Sequence, residues 1–174
     1  MDWTQALLDV IDFGSFSTLW YRIVLAVTWS AASHRVVGVP YDMVLRARRV
    51  GHEAARDLEE LVRINVGRVL HIARESGPWL AGIAAFGLTA LGTMGFWYRQ
   101  ELAQAVFLIF LPLTVVGLLS VSTAARIEAE RPSGEALWRV LHRHRLRTQV
   151  IGTLSIFVTA VFGMFQNLSS LQFI

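Results

Sequence analysis

The residues of this chain best suited to chemistry are its five imidazoles, His34, His52, His71, His142 and His144. Two imidazoles facing each other across a helical bundle can ligate a haem iron. His34, His71, His142 and His144 lie near the ends of long apolar runs, which makes them the haem candidates. Residues two apart on a helix point away from each other, so His142 and His144 do not share a face. The plainer reading is that all four are interfacial polar residues beside Arg, with no cofactor bound. His71 and Glu75 stand four apart, but one pair of ligands does not make a metal site. The run His142-Arg143-His144-Arg145-Leu146-Arg147 is a basic cluster. Arg143, Arg145 and Arg147 in it suit anionic lipid headgroups, and the plainer reading is a topology anchor, since every cytoplasmic loop needs such a charge. Cys is absent, which removes disulfides, thiolate nucleophiles and Cys-ligated metal clusters. No Ser-His-Asp order, glycine-rich phosphate loop, HExxH or CxxC signature occurs, and nothing supports an enzyme.

The elements that would position these residues are apolar. Hydrophobic residues make up 54% of the 174 and charged ones 17%, against about 25% charged in an average soluble domain. Pro78 to Trp97 is twenty residues without a charge, Leu102 to Ala125 twenty-four and Thr148 to Ile174 twenty-seven. A helix needs about 20 apolar residues to cross a hydrocarbon core of about 30 Å, so each run is long enough. A fourth run, Phe16 to Ser33, is interrupted by Arg22. Trp20 and Tyr21 beside it resemble an interfacial aromatic belt from which Arg22 can snorkel. Ala31-Ala32-Ser33 would suit signal cleavage, yet residues 1–15 carry Asp2, Asp9 and Asp12 and no Arg, which is the wrong charge for a signal peptide.

These runs predict one all-α integral membrane domain over residues 1–174. Its four transmembrane helices fall at about 16–33, 78–97, 102–122 and 150–168. Arg placement orients them. Residues 34–77 hold eight Arg and residues 123–147 six, while the segments before residue 16 and after residue 147 hold none. Positive loops stay in the cytoplasm, so both termini are expected on the non-cytoplasmic side of a bacterial inner (plasma) membrane. The net charge of +3 is explained by these loops, and no nucleic-acid partner is expected.

Between spans one and two the sequence predicts a cytoplasmic amphipathic arm at about 41–76, opened by Pro40. Val44, Ala47, Gly51, Ala55, Leu58, Val62, Val66, Val69 and Ala73 recur at helical steps. A straight rod of that length would run about 54 Å, so the arm either lies flat on the membrane or turns near Gly51. Its apolar face is shallow, whereas interfacial anchors carry bulky side chains. Ala55, Leu58, Val62 and Val69 are therefore expected to contact protein, in this chain or in a partner. Ala81, Ala85, Thr89 and Thr93 on span two, and Ser155, Thr159 and Gly163 on span four, place small residues four apart. Such stripes let transmembrane backbones approach closely, and packing inside this bundle is the first reading for both. Pro112 is expected to kink span three.

The stretches Ser15-Phe16-Ser17-Thr18-Leu19-Trp20-Tyr21, Ala32-Ser33-His34, Gly38-Val39-Pro40-Tyr41-Asp42-Met43, Asp57 to Asn65 and Ile72 to Gly77 resemble a group of small bacterial membrane proteins, some labelled as components of the Suf iron–sulfur assembly complex. The resemblance supplies no function without a site and carries over no functional residue. A chain without Cys has no thiolate to hold a cluster. The expected function is a non-enzymatic accessory, anchoring or assembly subunit of a larger inner-membrane complex. Its partners would be membrane lipids and other membrane subunits, or a second copy of the chain. A haem- or quinone-binding subunit and a small oligomeric channel are the alternatives.

Overall fold

A computed structural model describes residues 19–171, so the first residues of the expected first span and both chain ends lie outside the described residues. What is described is almost entirely helical. Helix α1 spans Leu19–His34 and is followed by a two-residue β-hairpin, β1 (Arg35–Val36) and β2 (Val39–Pro40). Then come α2 (Tyr41–Val50), α3 (His52–Gly92) with a π-helical turn at Thr93–Trp97, α4 (Glu101–Glu130) and α5 (Gly134–Leu171). The hairpin turns on Val37 and Gly38, both at positive φ (51° and 80°), the backbone pattern of a tight I′ connection. Its valines are plugged inward: Val36, Val37 and Val39 are all buried.

The expected arm at 41–76 is not a separate element. The chain turns at Gly51, where φ is 88°, a value that costs glycine least. From His52 one helix of 41 residues then continues through Pro78 to Gly92. At 1.5 Å per residue α3, α4 and α5 are about 62, 45 and 57 Å long. All three exceed an apolar layer of about 30 Å, and all three are long and apolar enough to cross a membrane. The described part of α1, sixteen residues, is only about 24 Å long.

Helix contacts fix the packing. Phe107 lies 3.6 Å from where a side chain on Gly92 would begin, and Phe110 at the same distance from Gly87, so α4 runs antiparallel to α3. Contacts from Ser155 to Leu108 and from His144 to Thr123 run α5 antiparallel to α4. At one end, α1 reaches Ala105 through the Tyr21 hydroxyl, which donates to its carbonyl at 3.3 Å. Further along, Trp29 sits on Gly152, so closely that a Cβ there would stand 2.6 Å from the ring.

Two kinds of interior result. At the Arg-rich end, the hairpin, α2, the first half of α3, the end of α4 and the start of α5 form a head. Its core joins Val44, Leu58, Val62, Val66, Leu70, Ile127, Leu137 and Leu141. In the bundle beyond it the burial pattern inverts. Ala103, Gln104, Ala105, Ser155 and Thr159 are buried, while Trp79 and Phe86 are each 77% exposed and Trp97 82%. An apolar surface of that extent marks contact with a membrane or another protein.

Pro112 does not interrupt α4. It does leave the carbonyl of Leu108, four residues earlier, without its helical donor. Ser155 of α5 donates its hydroxyl to that oxygen at 3.3 Å, which is how a neighbouring helix satisfies a freed carbonyl.

Candidate functional site

The chemistry-bearing side chains converge where the head meets the bundle, around the segment of α5 from Trp138 to Thr148. Side chains two residues apart leave the helix on different sides, and the histidines of this segment divide accordingly. His144 points inward and is 3% exposed. Its Nδ1 lies 3.0 Å from the Thr123 hydroxyl and its Nε2 3.5 Å from that of Ser120. Both hydroxyls donate back to their own helix, Thr123 to Leu119 at 2.8 Å and Ser120 to Val116 at 2.9 Å. With those hydroxyl protons turned to the helix, a neutral ring donates its single N–H to one of the two oxygens. His144 lies outside the apolar segment of α5 that begins at Thr148. Burial, and then the charge of Arg147, hold its pKa below the usual imidazole value.

His142 faces α2. Its ring stacks on Trp138, with centroids 5.0 Å apart, and its Nδ1 is 3.0 Å from the Tyr41 hydroxyl. The Arg48 guanidinium covers Trp138 at 4.3 Å and that of Arg145 covers Tyr41 at 3.7 Å. This alternation of cations and rings clamps α2 to α5, each contact a cation–π pair. Beside it lies a cleft of about 400 Å³ lined by Val44, Ala47, Ala55, Leu58, Leu137 and Trp138, with Arg48, Glu59 and Glu135 as its charged groups. At one end of this cleft Glu59 accepts the backbone N–H of Gly134 at 2.8 Å, tying α3 to the start of α5.

The remaining haem candidates lie elsewhere. His34 ends α1, is largely exposed and stands 3.9 Å from Asp42, while His71 is exposed on α3. No group of three or more metal-ligating side chains occurs among the described residues.

The four residues expected to contact protein lie in or beside the head core. Leu58 and Val62 are 5% and 2% exposed within the core of this chain, and Ala55 and Val69 are half-buried. Leu58 and Val62 share a core with residues of α2, α4 and α5, so of the two expected uses the structure has the one inside the chain. The three Arg of the expected headgroup set lie in different surroundings. Arg143 and Arg147 are exposed and line one small cavity with Arg126, whereas Arg145 is turned onto Tyr41. Spacing alone could have separated Arg145 from its neighbours, because it stands two residues from each. Arg126 belongs to another helix, and only the pairing of α4 with α5 brings it in.

The small-residue stripes also part company. Ser155, Thr159 and Gly163 are buried, as expected for packing in this bundle. Ala81, Ala85, Thr89 and Thr93 are exposed, contrary to that expectation. α3 instead turns Gly87 and Gly92 toward Phe110 and Phe107 of α4. The hydroxyls on the outward stripe are satisfied within the helix, Thr89 donating to Ala85 and Thr93 to Thr89, both at 2.8 Å.

No family model matches the chain, and neither does any curated protein or solved structure.

Proposed function

We propose that this chain is a non-enzymatic accessory subunit that anchors or assembles a larger complex in a bacterial inner membrane. In this reading α1 is a fourth span beside α3, α4 and α5, the head lies in the cytoplasm and both termini lie on the other side. Arg placement supports the orientation: apart from Arg22 and Arg99 every Arg belongs to the head end. A periplasm-active reporter fused after Ile174 is expected to be active, and the same reporter fused after Ser133 inactive. The reverse pattern would overturn the orientation.

One observation carries the accessory role. The outward face of α3 at Ala81, Ala85, Thr89 and Thr93 is small, has its hydroxyls satisfied internally and is left uncovered by its own bundle. In lipid, small residues serve association because they let a second helix come close. A helix meant only for lipid gains nothing from them. The partner is another membrane subunit or a second copy of this chain, and the resemblance to proteins labelled with iron–sulfur assembly fits the first. Ala85→Leu with Thr89→Leu fills the face without adding polarity. In mild detergent the wild type is expected to co-purify with its partner, or to run as a dimer. The double variant should insert normally and run alone. Retention of every partner by a folded double variant would remove the support for this role.

A further inference from the structure

Arg126 is the first charge after the apolar run of α4, and Arg147 is the last before the apolar run of α5. The contact between Thr123 and His144 aligns the two antiparallel helices, with Arg126 about one turn from it on the head side and Arg147 about one turn from it on the bundle side. Arg143, one turn from Arg147, completes a set of three guanidiniums around one cavity, with Thr123, Val140 and His144 in its wall. We propose that Arg126, Arg143 and Arg147 form a site for the phosphate of an anionic lipid headgroup.

Charge, size and continuity support it. Arg126 shares Glu130 at 2.9 Å, while Arg143 and Arg147 have no carboxylate partner among the described residues. The three cations less that one anion leave the cluster with a charge of +2, a match for a phosphate. The cavity holds about 30 Å³, room for one or two oxygen atoms but not for a whole phosphate. The anion therefore sits at its mouth, with an oxygen turned inward. What selects a lipid over free phosphate is the surface that follows. One helical stripe runs from Arg147 to Val150 and Leu154, which are 50% and 58% exposed. On α4 the equivalent stripe runs from Arg126 to Leu118 and Val115, 66% and 45% exposed. Acyl chains attached to a phosphate at the guanidiniums lie along these two stripes, and burying them adds to the binding.

The test uses the full-length chain in mild detergent, titrated with short-chain phosphatidic acid, short-chain phosphatidylcholine and glycerol 3-phosphate. Phosphatidic acid is expected to bind at least about tenfold tighter than either of the others, since it alone combines the acyl chains with a phosphate monoester. Arg143→Gln with Arg147→Gln should weaken it about thirtyfold, and Arg143→Gln alone about fivefold. Arg46→Gln with Arg49→Gln removes the same charge from α2 and should change it by no more than about twofold. Equal losses in the two double variants would reduce the site to diffuse attraction and overturn it. Glycerol 3-phosphate binding as tightly as the lipid would overturn the lipid and leave a free phosphate as the ligand. Arg143→Gln is an exposed substitution without an ion pair to break, so an unchanged affinity in this variant also counts against the site.

Discussion

The two halves of α3 obey opposite rules. From His52 to about Gly77, the helix buries Leu58, Val62, Val66 and Leu70 at steps of four and turns its charges outward. From Pro78 onward it exposes Trp79, Leu80, Ile83 and Phe86 and turns glycine toward its neighbour. The first half is stabilised by removing apolar area from water, at about 25 cal/mol per Å². That term is absent between helices surrounded by hydrocarbon, where close packing and a few hydrogen bonds hold the structure. One helix therefore joins a water-type core to a lipid-type bundle, and the chain needs no linker between them.

The contrast predicts where substitutions matter. Leu141 is fully buried in the head, so Leu141→Ala should cost about 2–5 kcal/mol. Phe157, larger but 64% exposed in the bundle, should cost about 0.5 kcal/mol or less as Ala. Thermal unfolding in one detergent compares the two, and equal costs would dissolve the distinction. Within the bundle, close approach should dominate. Gly152→Ala puts a methyl 2.6 Å from the buried Trp29 ring, an overpacking worth about 1–3 kcal/mol. Trp29 packs α1 onto α5 at this glycine, so cross-linking between α1 and α5 should fall along with stability.

A smaller effect is expected at Ser155. Loss of its hydroxyl strands the Leu108 carbonyl freed by Pro112, at about 1 kcal/mol. Restoring the backbone donor with Pro112→Ala should shrink the cost of Ser155→Ala, and a cost unchanged in that background would separate the serine from the proline. The smallest effect concerns pH. The folded chain holds His144 below the usual imidazole pKa, whereas unfolding restores a value near 6.5. The unfolded state then binds the extra proton first, so this contribution is present above about pH 6.5 and is lost as pH falls toward the lower folded value. His144→Gln should flatten that part of the stability profile.

Much of this organisation is legible in the amino-acid order. Charge-free runs mark the apolar segments because no charge is tolerated along a lipid-facing helix, and the helical recurrence from Val44 to Ala73 marks a packing face. Periodicity does not say what covers a face. Val62 and Ala85 both belong to regular stripes, yet one is sealed in the head core while the other is left open. The stripe at Ser155 reads the same way as that at Ala85 until Pro112 is set opposite it and Leu108 is seen to need a donor. Arg126 joins Arg143 and Arg147 only through antiparallel pairing between residues far apart in sequence, and local spacing carries no record of that.

Because the chain has no Cys, single spin labels can be placed without background. The most direct test compares labels at Phe86→Cys and Phe157→Cys with labels at Arg46→Cys and Glu60→Cys, in the chain reconstituted into lipid bilayers. Relaxation by oxygen, which concentrates in hydrocarbon, should exceed relaxation by a water-soluble nickel chelate at the first pair. The order should reverse at the second. Nickel access at Phe86 and Phe157 equal to that at Arg46 and Glu60 would contradict a lipid-covered bundle beneath a water-exposed head.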